Sequence, residues 1–208
     1  MVFAIVVVVL TGYLLGNLNG AVCMSWILAK EDVRQKGSGN AGLTNFIRNY
    51  GAAASVAVIL IDGIKAALAC LVGGMILRNY GMYMQGMAIG GLSVMVGHDF
   101  PALLGFRGGK GILSGCIVAM TIDWRIGVLA LGVFLLVYMC SMYVSMGSIL
   151  GASAFAVGFV VFQWQEPVVM ICGVIMGVLS VFMHRGNICR LLKGQERKTN
   201  LFGKGEKA

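Results

Sequence analysis

Polar, charged and glycine residues gather at residues 97–114 of an otherwise apolar chain, in the stretch GHDFPALLGFRGGKGILS. Arg107 and Lys110 supply positive charge, and glycines let a backbone approach a ligand closely. We therefore predict an anion-binding loop built on three glycines, Gly108, Gly109 and Gly111. His98 and Arg107 are predicted to support it. The spacing is not that of a Walker A loop, because Lys110 is followed by glycine where that motif has Ser or Thr.

Two further polar stretches, residues 31–48 and residues 184–197, have related chemistry. The first contains KGSGNAGLTNFIR, a flexible glycine turn followed by donors at near-helical spacing. Its candidate donors are Ser38, Asn40, Thr44, Asn45 and Arg48. The second reads HRGNICRLLKGQER, and its candidates are His184, Asn187, Arg190 and Glu196. We predict that two phosphate-sized anions can be held between these clusters.

The composition predicts an all-α integral membrane protein. Of 208 residues, 59% are hydrophobic and 12% charged, whereas soluble domains are roughly 45–50% apolar. The net charge of +8 does not favour nucleic acid, because the basic residues lie at the ends of apolar segments, near lipid head groups. The six cysteines lack the paired spacings of a zinc site, and neither a metal nor a cofactor is predicted.

Runs of apolar residues predict seven transmembrane helices, since about 20 such residues make one crossing. The predicted spans are 2–28, 52–77, 83–97, 111–122, 126–144, 147–163 and 167–183. This arrangement puts 13 of the 16 Lys and Arg residues on one side and two on the other. The positive-inside rule then predicts an external N-terminus and a cytoplasmic C-terminus. Residues 1–208 are predicted to be one domain, with cytoplasmic loops at 30–50, 97–114 and 184–197.

Two features of the spans need separate comment. The segment 111–122 is shorter than a full crossing, so a re-entrant segment is the alternative, although an even number of spans would divide the polar stretches between the two faces. Asp62 and Lys65 lie one turn apart within the second span, where unpaired charge is unfavourable. They are predicted to pair and to face the interior of the bundle.

Three motifs resemble those of a known family. GSGNAGLTNFIR, GHDFPALLGFRGGKG and HRGNICRLLKGQE are similar to the cytoplasmic motifs of the bacterial acyl-phosphate:glycerol-3-phosphate acyltransferases, the PlsY family. The resemblance implies a bacterial plasma-membrane enzyme with its active site on the cytoplasmic side. It would move an acyl group from acyl phosphate to the 1-hydroxyl of sn-glycerol 3-phosphate, giving lysophosphatidic acid and phosphate for phospholipid synthesis. Its expected partners are these two substrates and membrane lipids, and a monomer is compatible with the sequence.

The resemblance also implies which residues form the site. The residues expected to act in catalysis are Lys110, His184, Asn187 and Ser145. Those expected to bind substrate phosphate are Ser38, Asn40, Thr44, Asn45, Arg48, Gly108, Gly109, Gly111 and Ser148, with His98, Arg107, Arg190 and Glu196 in support. Ser145 and Ser148 lie in YVSMGSI, which is also similar to the family. The sequence departs from the common family pattern at residues 16–19, at Arg107 and at residues 112–114.

The same residues suit acyl transfer without a covalent intermediate. An acyl phosphate is a mixed anhydride with a good leaving group, and the sequence has no G-x-S-x-G nucleophile motif. The remaining task is to hold two anions and to stabilise developing charge. The general base could be His184, Glu196 or a phosphate oxygen of the substrate, and the last is preferred because no carboxylate–histidine pair is visible. The competing class is a transporter of an organic phosphate, which would place polar groups near the midplane and on both faces.

Overall fold

The computed structural model describes residues 1–199, which form helices and connecting loops without a strand. The α-helices of this part of the chain are, in order, α1 Val2–Asn17, α2 Gly20–Ala29, α3 Leu43–Tyr50, α4 Ala52–Arg78, α5 Tyr83–Asp99, α6 Ile112–Ile122, α7 Trp124–Ser141, α8 Val144–Phe162, α9 Pro167–Met183 and α10 Arg185–Leu192. Short 3-10 turns occupy Val33–Gln35 and Ala102–Leu104. The prediction of an all-α protein is confirmed.

Several helices have the length and composition of membrane spans. Within residues 1–199, five segments are long and apolar enough to cross a membrane, namely Val2–Ala29, Ala52–Arg78, Tyr83–Leu104, Trp124–Ser141 and Val144–Phe162. Helices α9 and α10 are long and apolar enough only when taken together, and they are bent by 52° relative to each other. Helix α6 has 11 residues, about 16 Å at 1.5 Å per residue, against a hydrocarbon core of about 30 Å. The multi-pass character is confirmed, while seven crossings remain a prediction.

The predicted first span, 2–28, corresponds to the apolar segment Val2–Ala29, which the structure divides into two helices. Helix α1 ends at Asn17, and Leu18 and Asn19 have extended backbone angles before α2 begins. Backbone groups released by such a break need partners inside an apolar bundle. The ammonium of Lys65 donates to the carbonyl oxygens of Gly16, at 3.3 Å, and Leu18. The break is therefore built around a charge on the neighbouring helix.

Asp62 and Lys65 pair as predicted, and both are buried. Lys65 Nζ lies 2.7 Å from Asp62 Oδ1, and each side chain is 3% exposed. The same carboxylate oxygen accepts the backbone N–H of Gly20, the first residue of α2, at 3.1 Å. Asn19 caps α2 by accepting the N–H of Val22 at 3.0 Å. The ion pair thus fixes where α1 ends and α2 starts.

Close helix contacts hold α1, α4 and α5 together, and glycines allow them. A Cβ atom on Gly97 of α5 would lie less than 3.0 Å from the carbonyl oxygen of Tyr13 in α1. A Cβ on Gly86 of α5 would meet the carbonyl oxygen of Gly73 in α4 equally closely. Small residues at such contacts let backbones approach, which is how helices associate in membranes.

The loops sort to the two ends of this bundle. At one end, the Asp123 carboxylate accepts from Gln163 Nε2 at 2.9 Å, and Gln85 Nε2 donates to Glu166 at 2.8 Å. The short helices α3 and α10 and the loop at residues 100–111 lie at the other end. The polar stretches of the sequence consequently meet at one end of the molecule.

We expect Gly97→Ala to lower the free energy of unfolding by about 1–3 kcal/mol, the usual range for overpacking a tight contact. Gly132→Ala in α7 is the matched control, because no atom lies within 4 Å of a Cβ built there. Removing a glycine from a helix interior should leave that control unchanged or more stable by up to about 1 kcal/mol. Thermal unfolding in detergent measures both variants, and equal melting points would contradict the prediction.

Candidate active site

One cavity of about 850 Å³ brings the three polar stretches together. Of the predicted site residues, those that line it are Ser38, Asn40, Thr44, Asn45, Arg48, His98, Lys110, Gly111, Ser145, Ser148, His184, Asn187, Arg190 and Glu196. Those that do not line it are Arg107, Gly108 and Gly109. Residues more than 140 positions apart in the chain thus share one chamber.

The cavity runs from a polar end into the apolar part of the bundle. On α8 it is lined first by Ser145 and Ser148, and then by Ala152 and Phe155. The ten-residue step from Ser145 to Phe155 corresponds to about 15 Å along a helix. Phe134 of α7 lines the wall facing them. Such a chamber suits a molecule with an anionic head and an apolar tail.

The glycine turn of the first polar stretch is organised by Asn45. Its amide nitrogen lies 3.0–3.1 Å from the carbonyl oxygens of Val33, Lys36 and Asn40, and its oxygen accepts the N–H of Ser38 at 2.9 Å. Asn45 is 2% exposed. Its polar groups hold the loop, so Asn45 positions the turn, and its contact with phosphate stays a prediction.

Gly37 shows why this turn needs glycine. Its φ is +60°, a left-handed conformation that side chains rarely adopt. A Cβ there would also lie less than 3.0 Å from Asn45 Oδ1. The turn can therefore wrap around Asn45 and present Ser38 and Asn40 to the cavity.

In the second polar stretch, two of the predicted glycines, Gly108 and Gly109, lie against the end of α5 and do not line the cavity. The backbone N–H groups of Gly108 and Gly109 donate to the carbonyl oxygens of Asp99 and His98, at 3.2 and 3.0 Å. A Cβ on either glycine would lie less than 3.0 Å from His98. These glycines let the loop pack on the end of α5, so their amides are already used and do not face a ligand. Gly111 does line the cavity, with a φ of +68°.

Arg107 is exposed and lies outside the cavity, so its side chain does not support an anion there. Its carbonyl oxygen accepts from Arg34 Nη1 at 3.0 Å, and the same nitrogen donates to Leu104 O at 2.6 Å. Arg34 is held by a salt bridge of 2.7 Å to Asp32. Sequence reasoning missed Arg34, which joins the first polar loop to the second.

A chain of polar contacts connects the second stretch to the third. Lys110 Nζ donates to Asn187 Oδ1, and Asn187 Nδ2 donates to Glu196 Oε1 at 2.7 Å. Arg190 donates to the other oxygen of Glu196 at 2.7 Å, and Ser145 also hydrogen-bonds this carboxylate. Burial opposes ionisation of Glu196, but these hydrogen bonds outweigh it and lower its pKa. Glu196 is therefore an anion that organises the cationic end of the cavity.

Lys110 is the most perturbed cation at this end. Burial, together with repulsion from Arg190 and Arg48, lowers its pKa to about 8, and Glu196 acts in the opposite sense. Cations held close together, with part of their water removed, attract an anion strongly. The arrangement fits a phosphate group.

Two further contacts complete the site. His184 Nδ1 lies 2.8 Å from the carbonyl oxygen of Ser180, so Nδ1 carries the proton and Nε2 is an acceptor. Arg48 donates to the hydroxyl of Thr199, whose carbonyl accepts from Tyr138 at 2.9 Å. The segment from Glu196 to Thr199 thus crosses from α10 to α7. Sequence reasoning assigned Thr199 no role, because a threonine near a basic tail carries no signal.

Comparison with known proteins agrees with this geometry. The family described as Glycerol-3-phosphate acyltransferase matches residues 6–194. A glycerol-3-phosphate acyltransferase of Thermoanaerobacter pseudethanolicus is 38% identical over 193 residues, 93% of this chain and 94% of the relative. One of Finegoldia magna is 34% identical, covering 89% and 91%.

Solved structures are similar as well. The glycerol 3-phosphate form of the integral membrane acyltransferase PlsY (YgiH) matches with a TM-score of 0.85 and 28% identity, covering 96% of this chain and 99% of that one. Its lysophosphatidic acid form matches with a TM-score of 0.81 and 28% identity, covering 95% and 96%.

The chain is an integral membrane acyltransferase by class. It belongs to the glycerol-3-phosphate acyltransferase family, the PlsY family, as its motifs predicted. Membership of this family does not favour the alternative of an organic phosphate transporter.

We expect Asn45→Ala to lower the free energy of unfolding by about 2–4 kcal/mol, because it leaves several buried loop groups without partners. Asn49→Ala, one turn further along α3, removes contacts to Asn45 alone and should cost about 1 kcal/mol or less. Thermal unfolding in detergent compares the two. Equal losses would contradict the central role of Asn45 in the loop.

Proposed function

We propose that this protein transfers a fatty acyl group from acyl phosphate to the 1-hydroxyl of sn-glycerol 3-phosphate, releasing lysophosphatidic acid and inorganic phosphate. The observation that carries the proposal is a cavity that has both a cationic end and an apolar interior. The family and the two ligand forms of its solved relatives support the acceptor and the product.

We also propose that residues 1–208 form one domain with seven crossings and a cytoplasmic site in the bacterial plasma membrane. The excess of Lys and Arg at the end that holds the cavity supports this orientation. If α6 counts as a crossing, the helices α1–α2 and α4 to α9 alternate in direction, which agrees with the hydrogen bonds that join the opposite loops. An odd number of crossings puts the two termini on opposite sides.

The proposed mechanism needs position and charge, without a covalent nucleophile. Arg48, Thr44 and the turn at Ser38 and Asn40 hold one anion, and Lys110 with Arg190 neutralises the other. The glycerol hydroxyl oxygen attacks the acyl carbonyl carbon, the bond from that carbon to the phosphate oxygen breaks, and the hydroxyl proton leaves on a phosphate oxygen. Stabilising charge on the carbonyl oxygen and the departing phosphate is the main contribution.

A phosphate oxygen of the substrate is the proposed base. The ring of His184 is oriented by the Ser180 carbonyl and not by a carboxylate, so it lacks the charged partner that strengthens a histidine base. The roles of His184 and Asn187 are then to orient the anions beside Lys110. Ser145 acts with them by holding Glu196.

The deciding experiment gives purified protein palmitoyl phosphate or palmitoyl-CoA, each with and without glycerol 3-phosphate. Phosphate release that requires glycerol 3-phosphate, with 1-acyl lysophosphatidic acid formed and CoA inert, is expected. Product from palmitoyl-CoA alone would overturn the proposed donor. Absence of product from either donor, in protein with an intact melting transition, would overturn the transferase itself.

We expect Lys110→Ala to reduce kcat/KM by at least about 150-fold, or about 3 kcal/mol, the range for removing one well-placed donor. Lys193→Ala is the matched control, because Lys193 is an exposed lysine outside the cavity. That control should stay within about 3-fold of the parent protein. Near-normal turnover of Lys110→Ala would contradict the central role of its ammonium.

The pH profile of kcat/KM provides a separate test. Lys110 is charged below its pKa of about 8 and loses its charge above it, so kcat/KM should fall as the pH rises through about 8. Lys110→Arg keeps the charge at high pH. We therefore expect lower activity without that alkaline decline, and an unchanged decline in this variant would assign it to another group.

A further inference from the structure

The imidazole of His98 lies in the cavity wall and has no part in the mechanism proposed above. It stands in the last turn of α5, is 5% exposed, and lines the cavity with Lys110 and Gly111. A buried imidazole at such a place presents one ring nitrogen to the protein and leaves the other for the cavity. The contacts of His98 identify which is which.

The Nδ1 atom of His98 lies 2.9 Å from Lys65 Nζ. An ammonium has only donors, so Nδ1 must be the acceptor and carries no hydrogen. An imidazolium would turn an N–H toward the ammonium, which neither charge nor geometry allows. The ring is therefore neutral, with its proton on Nε2.

Lys65 is itself held in place by other partners. Asp62 Oδ1 lies 2.7 Å from the ammonium, and the carbonyl of Leu18 accepts from it at the break in the first span. The carboxylate is 3.8 Å from His98 Nδ1, too far for a hydrogen bond. Asp62 thus makes no hydrogen bond to His98 and is joined to it through Lys65.

The Nε2 side of the ring faces the loop that carries Lys110. A Cβ on Gly109 would lie less than 3.0 Å from His98 Nε2, and the N–H of Gly109 donates to the carbonyl of His98 at 3.0 Å. Only glycine fits at this position, because any side chain would cover the Nε2–H. Since His98 lines the cavity and its Nδ1 is turned to Lys65, Nε2 is the ring nitrogen left for the cavity.

We propose that His98 is a catalytic residue that donates its Nε2–H to the carbonyl oxygen of the acyl group, and that Lys65 is the positioning residue that fixes this tautomer. The inference rests on the acyl transfer proposed above. As the glycerol oxygen bonds to the carbonyl carbon, negative charge grows on the carbonyl oxygen. When the bond to the phosphate oxygen breaks, the C=O double bond forms again and the charge leaves with phosphate. His98 keeps its proton throughout, while the hydroxyl proton leaves with phosphate.

Nitrogen NMR of the imidazoles tests the tautomer without any assay of activity. The chain has two histidines, so His184→Gln leaves His98 as the only imidazole in a labelled sample. At pH 7 in lipid, we expect one neutral form with hydrogen on Nε2 and none on Nδ1. Hydrogen on Nδ1, or a charged ring, would overturn the proposal whether or not the protein is an acyltransferase.

Kinetics of three His98 variants test the donor. Gln can place its amide N–H near the position of Nε2, whereas Asn reaches only the position of Nδ1 and Phe has no donor. We expect His98→Phe and His98→Asn to lower kcat by about 100-fold or more, with KM for glycerol 3-phosphate within about 3-fold. His98→Gln should keep at least about a tenth of the parent kcat. Folded His98→Phe with normal kcat, in a preparation whose parent is active, would overturn the role of His98 alone.

The double variant Asp62→Asn with Lys65→Met tests the positioning role. It removes both buried charges together, which proteins tolerate better than the loss of one, and Asn keeps an acceptor for Gly20. We expect a mixture of His98 tautomers and a lower kcat. A single Nε2–H tautomer with unchanged kcat would exclude Lys65 as the positioning residue.

Discussion

The structure depends on one buried ammonium, that of Lys65. Lys65 belongs to α4, where it pairs with Asp62. Its ammonium donates to carbonyl oxygens at the break in the first span and contacts His98 at the end of α5. Charge in an apolar bundle is unfavourable unless every partner is present. Because the partners of this α4 pair come from the end of α1, the start of α2 and the end of α5, the network forms only when these helices are all in register. The polar loops then start from a fixed base.

Above that base, the cavity separates two kinds of chemistry along one axis. Cations and hydroxyl groups lie at the loop end, and apolar side chains of α7 and α8 lie further in. Glu196 sets the spacing of the cationic end by holding Arg190 and Asn187 while Asn187 accepts from Lys110. The carboxylate offsets the repulsion between Lys110, Arg190 and Arg48. The polar end is thus already organised around one negative charge.

The sequence predicts the helical class, the approximate bounds of most helices, the Asp62–Lys65 pair and the polar stretches that share one cavity, because apolar length and motif order are local signals. It failed where tertiary contacts decide. The break at Leu18 could not be predicted, because its carbonyl oxygen accepts from a residue 47 positions away. Gly108 and Gly109 have the composition of an anion loop, yet they serve close packing on α5. Asn45 has the chemistry of a ligand-binding residue, and only the folded loop reveals that its groups are used.

The order of the site segments along the chain has a consequence for biosynthesis. The cavity needs residues from the first polar loop, at Ser38 to Arg48, and from the segment at Glu196 to Thr199. The ribosome makes the first of these long before the last. During membrane insertion, Arg48 and Lys110 therefore lack the opposing charge of Glu196 until that residue emerges. The helical bundle can assemble span by span, but the polar end of the cavity is completed only after the last span has been made.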